Sequence, residues 1–92
     1  MKIEQVEIYS DTSNAAIMRH PGRKFPGSLI QGDSLHILVG EARELLAAVA
    51  KSGDEDLTGL AQDHLENLEG RLKHYEKVLE EHGIQLPYNK RT

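Results

Sequence analysis

The residues best equipped for chemistry are concentrated in one stretch, Arg19-His20-Pro21-Gly22-Arg23-Lys24-Phe25-Pro26-Gly27, which continues through Ser28-Leu29-Ile30-Gln31-Gly32-Asp33-Ser34. No acidic residue lies between Thr12 and Gly32, and Arg19, Arg23 and Lys24 give that segment a charge of +3 in a chain of net charge −4. Guanidinium groups suit planar, bidentate recognition of phosphate or carboxylate. Gly22 and Gly27 let the backbone come close to a ligand, and Pro21 and Pro26 stiffen the loop so that less entropy is lost on binding. Gln31 and Ser34 offer neutral hydrogen bonds, and Asp33 can accept from a ribose hydroxyl or an amino group. Phe25 or Tyr9 can stack on a base. A helix starting at Asp33 or Ser34 would add free N–H groups and the positive end of a dipole. The expected binding set is therefore Arg19, His20, Gly22, Arg23, Lys24, Phe25, Gly27, Gln31, Asp33 and Ser34. The competing reading is a solvated loop in which Pro and Gly set turns and Asp33 is an ordinary cap.

Other chemistries find less support. With no cysteine in 92 residues, disulfides, a thiol nucleophile and Cys-based zinc sites are excluded, and a reducing, cytoplasmic setting fits. His20, His36, His64, His74 and His82 are scattered, with no pair at the i,i+4 spacing of a helical metal site. The glycines form neither a P-loop nor a dinucleotide fingerprint. His20 with Asp33 or Ser34 is the one conceivable acid–base pair, and no nucleophile elbow or paired carboxylates accompany it. The expectation is a non-catalytic protein with no metal and no cofactor. The acidic balance argues against general nucleic-acid binding. No apolar run is long enough to span a membrane, so no membrane partner is expected.

The elements that must position the loop fall into two parts. In Lys2–Tyr9, Val6 and Ile8 mark the buried face of a strand. Ser10–Asn14 is a run of turn formers, Ala15–Arg19 is a second strand, and Ser28–Gln31 is a short third one. Thereafter Leu35, Leu38, Ala42, Leu45 and Val49 recur at helical spacing, widened by Val39 and Leu46. Ser52-Gly53 stops this helix. Asp54 caps the next, in which Leu57, Ala61, Leu65, Leu68, Leu72, Tyr75, Leu79 and His82 form a nearly heptad seam. Gly83 and Pro87 end it. The second helix, about 28 residues or roughly 42 Å at 1.5 Å per residue, overhangs the first and calls for cover.

The fold expected is α+β: a small N-terminal antiparallel hairpin or sheet packed on a C-terminal antiparallel two-helix hairpin, oligomerising through the helices. One domain would comprise residues 1–92, with a β/turn part at 1–32, helices at 33–52 and 54–83, and a tail at 84–92 whose last residues, Tyr88–Thr92, are expected to be mobile. The acidic helix face (Glu41, Glu44, Glu66, Glu69, Glu76, Glu80) reads as a solvated surface of mixed charge.

Val6–Ala16, Arg19–Gly27 and Gln31–Leu35 together resemble a family of short bacterial and phage-borne proteins of undetermined activity. Size, acidity and a basic pocket in a helical frame also resemble the small oligomeric proteins with which phages sequester nucleotide immune signals. That second resemblance implies sequestration of a nucleotide or cyclic nucleotide as an anti-defence role. The leading expectation is capture of an anionic, nucleotide-like small molecule by the Arg19–Ser34 segment. The alternative is a protein–protein interaction module, of the immunity or toxin-inhibitor kind, acting through the same loop or the acidic helices.

Overall fold

The structure, a computed structural model, describes residues 1–90; Arg91 and Thr92, part of the expected tail, lie outside the described residues. The chain divides into two compact units, the first spanning Met1–Gln31 and the second beginning at Gly32.

The first unit is a three-stranded antiparallel sheet in the order β1-β2-β3, with β1 at Glu7–Ser10, β2 at Ala15–Arg19 and β3 at Gly27–Ile30. The first strand starts later than the sequence suggested, at Glu7 rather than Lys2. The register explains this. Glu7 pairs with Arg19, so continuing the ladder toward the N-terminus would set residues 6 and 5 against His20 and Pro21. Proline has no N–H to donate and the chain turns there, so pairing stops.

Across the sheet, Ile8 lies opposite Met18, Met18 opposite Gly27, and Ala16 opposite Leu29, which places these residues on one mostly apolar face. Glu7, Arg19, Ile17 and Ser28 share the other. The register shifts between Ile8 and Ser10, so Tyr9 is the extra residue of a β-bulge. The expected burial of Val6 and Ile8 is not observed: Ile8 is 58% exposed and Val6 is also exposed. Strands of four and five residues form a single thin layer with no second layer inside the unit.

The second unit is an antiparallel hairpin of α1, Gly32–Ala50, and α2, Glu55–Glu81. α1 starts at Gly32, so Asp33 and Ser34 lie in its first turn instead of capping it. Tyr75 packs so closely on Gly32 that any Cβ there would collide with the ring, and only glycine allows this approach. Between the helices, Gly53 takes φ 75°, and its N–H donates to the Ala50 carbonyl at 3.3 Å. Asp54 is the expected N-cap, its side chain accepting from the Leu57 N–H at 3.0 Å. At the far end Gly83 takes φ 67°, and the Ile84 N–H returns to the Leu79 carbonyl at 2.9 Å, closing the helix with a left-handed cap.

The core is aliphatic, in a chain with one Phe, three Tyr and no Trp. Leu35, Val39 and Ala42 of α1 pack with Leu65 and Leu72 of α2, and Leu46, Leu68, Tyr75 and Tyr88 pack against them. The buried stripe of α1 therefore centres on Val39 and Leu46. Leu38 and Leu45, expected at its centre, are exposed. A stripe this wide leaves open which edge meets the partner helix, and that is set only by the pairing with α2. No helix among the described residues is long and apolar enough to cross a membrane.

Candidate functional site

The basic loop connects β2 to β3 and is tied down by its own backbone and side chains. The Arg23 N–H donates to the His20 carbonyl at 2.9 Å, which makes His20-Pro21-Gly22-Arg23 a β-turn with Pro21 at the position whose φ proline presets. The Gly22 N–H donates to His20 Nδ1 at 3.1 Å, so His20 serves the turn as a local acceptor. Gly22 stays outside the left-handed region, and a Cβ there would meet His20 Nδ1 at an ordinary 3.6 Å. A Cβ on Gly27 would meet nothing within 4 Å. Neither glycine is demanded by the fold of the loop.

Arg19 is engaged inside the sheet. Its guanidinium pairs with the Glu7 carboxylate directly across from it, and Nη1 donates to the Arg23 carbonyl at 3.3 Å. The bulge brings Tyr9 to the same group, where its hydroxyl donates to Glu7 Oε1 at 3.3 Å. The hydrogen bond to Glu7, aided by Tyr9, raises the pKa of Arg19 above its ordinary value. Much of its charge is thus answered locally, and the residue acts as a strut from the sheet to the loop.

Arg23 and Lys24 form no ion pair among the described residues. Lys24 Nζ sits 5.5 Å from the centroid of the Phe25 ring, within cation–π range, and Phe25 is 73% exposed. His20–Gln31 are all exposed. The loop therefore offers two cations and one aromatic ring, all exposed, on a turn held by its own hydrogen bonds. Gln31 ends the first unit. Asp33 and Ser34 belong to the second, where Asp33 Oδ1 accepts from the Ser34 N–H at 2.8 Å.

The hairpin carries a feature that the sequence reading missed. A groove of about 350 Å³ is lined by His36 and Arg43 of α1, by Glu69, Leu72, Lys73, Glu76, Lys77 and Glu80 of α2, and by Lys90. Tyr88 secures the segment after α2. Its ring stacks on His36 with centroids 4.0 Å apart and planes 8° apart, and its hydroxyl donates to Glu76 Oε2 at 3.0 Å. Partial burial, with the Glu76 contact second, raises the Tyr88 pKa. The tail was expected to be mobile; at Tyr88 it is docked. The available signal was the spacing of 69, 73, 76, 77 and 80 along one helical face, but Tyr88 and His36 are distant in sequence and no spacing rule joins them. Among the described residues, no group of three or more His, Cys, Asp or Glu side chains could hold a metal ion.

A family model described as a family of unknown function (DUF6959) matches residues 1–88. The chain belongs to that family. The DUF6959 match covers both compact units, from the sheet and its basic loop to Tyr88. No curated protein and no solved structure matches the chain.

Proposed function

We propose that this protein is a non-catalytic interaction module whose β2–β3 loop docks an acidic segment of a partner protein. The observation that carries this is the loop tip, where Arg23 and Lys24 form no ion pair among the described residues and stand beside an exposed Phe25. Arg and aromatic residues are the groups that anchor protein interfaces. The turn hydrogen bonds and the Arg19 strut hold the tip in place, which lowers the ordering cost of binding. The loop is exposed from His20 to Gln31, whereas small ligands favour concave sites that enclose them, so a macromolecular partner fits it better than an enclosed small molecule. Capture of a nucleotide is the second reading, favoured by the Lys24–Phe25 pair, which can meet a phosphate and a base together.

Self-association through the helices belongs to the same proposal. Leu45, Leu57 and Leu60 are each more than half exposed on α1 and α2, and a second copy would cover them.

The test is a titration with an oligo-glutamate peptide, followed by calorimetry at low and physiological salt. Binding that weakens with salt and is lost in the Arg23→Ala, Lys24→Ala double variant supports the docking loop. Equal binding by that variant, with circular dichroism unchanged, overturns it. Binding of ATP but not of the peptide, lost in the same variant, would favour nucleotide capture. Light scattering that reports a monomer at micromolar concentration would overturn self-association.

A further inference from the structure

We propose that the hairpin groove is a second, independent site, which takes the phosphate of a small phosphate monoester between Lys73 and Lys77. The groove's charges divide into those already answered and those not. Glu69 Oε2 accepts from Arg43 Nη2 at 2.9 Å. Glu76 accepts from the Tyr88 hydroxyl and lies 3.9 Å from Lys90 Nζ. Lys73 and Lys77 form no ion pair among the described residues, and neither does Glu80. Two ammonium groups thus face one carboxylate, so the unanswered charge of the groove is positive although the chain as a whole is acidic.

Lys73 and Lys77 stand four residues apart on one helical face, a spacing at which like charges repel each other. A dianion bridging the two ammonium groups removes that repulsion and gains two charge-assisted hydrogen bonds. His36 and the guanidinium of Arg43, held in orientation by Glu69, supply further donors along the wall.

Size and shape restrict the ligand. About 350 Å³ lies at the lower end of the range for small-molecule sites, and the lining is mostly charged, with Leu72 almost wholly buried, so the organic part must be small. Glu76 and Glu80 on the same wall disfavour a longer polyanion, so a single phosphate is preferred to a chain of them. The docked tail shapes the site: Tyr88 bridges His36 of α1 and Glu76 of α2, and it carries Lys90 into the lining.

The test uses the full chain, isotopically labelled, titrated with phenyl phosphate, with inorganic phosphate, and with sodium chloride at matched ionic strength. The expected result is a saturable shift of the amides around Lys73–Lys77 and of His36, with affinity falling on the order of tenfold or more in Lys73→Ala, Lys77→Ala and largely kept in Lys73→Arg, Lys77→Arg. Tighter binding of phenyl phosphate identifies a monoester, and equal binding identifies free phosphate as the ligand of the same site. Arg23→Ala, Lys24→Ala leaves this binding unchanged, which separates it from the loop. Shifts no larger than those with sodium chloride overturn the proposal. So does equal affinity in the alanine double variant, or shifts confined to the β2–β3 loop.

Discussion

The sheet and the hairpin bury their side chains to very different degrees. The buried apolar residues of the described chain are Leu35, Val39, Ala42, Ala61, Leu65 and Leu72, and all six lie in the hairpin. In the sheet, Ala15, Ala16, Met18 and Arg19 reach only partial burial, and β3 is exposed throughout. The hairpin thus has a core that holds it together, whereas the sheet presents apolar and basic side chains outward on a frame of ladder hydrogen bonds. A thin sheet with exposed apolar side chains is poorly stable by itself but well suited to contact, and it is this unit that carries the basic loop.

Paired substitutions test that contrast. The largest effect is expected from Leu65→Ala, which should cost about 2–4 kcal/mol by transfer and cavity terms. Leu29→Ala in β3, at a side chain 54% exposed, should cost less than about 1 kcal/mol. Urea denaturation of both variants checks this, and an equal loss would mean that the sheet has a core of its own.

Gly32→Ala comes next. Its Cβ would strike the Tyr75 ring, and overpacking of this kind costs about 1–3 kcal/mol. Gly27→Ala has open space around its Cβ and should stay within about 0.5 kcal/mol of the parent. Comparing the melting temperatures of the two variants decides the point, and a Gly32→Ala protein as stable as its parent would break the packing account.

Asp54→Ala removes the α2 cap and should cost about 1 kcal/mol, readable as a loss of thermal stability with little change in the loop. The smallest effect concerns Tyr88. Its pKa is raised in the folded protein, so the folded state keeps a proton that the unfolded chain gives up. The stabilisation is complete below the unfolded tyrosine value of about 10 and is lost as pH rises toward the folded one. Stability measured from pH 8 upward should therefore fall above about pH 10, and the fall should be shallower in Tyr88→Phe. An equal slope in the variant would place the titrating group elsewhere.

Most of the element plan was legible because it rests on local signals. Ala15–Arg19 matched its strand, Asp54 its cap, and Gly53 and Gly83 their helix ends, since each depends on a few neighbouring residues. What escaped depends on partners distant in sequence. Glu7 lies 12 residues from Arg19, and only the strand register shows that it answers that charge. Tyr75 lies against Gly32, the first residue of α1, and the buried face of α1 is set by the approach of α2. Of the expected binding residues, Arg23, Lys24 and Phe25 are exposed, while Arg19 and His20 are engaged in holding the loop. The groove requires His36, the face of α2 and Tyr88 at once, a juxtaposition invisible to spacing.

The central claim, that the hairpin is held by a buried core which the sheet lacks, is tested most directly by native-state hydrogen exchange on the free protein. Amides around Val39 and Leu65 should exchange on the order of a hundredfold more slowly than those of Ile17 and Met18. Equal or slower exchange in the strands would contradict the account and show the sheet to be as firmly held as the helices.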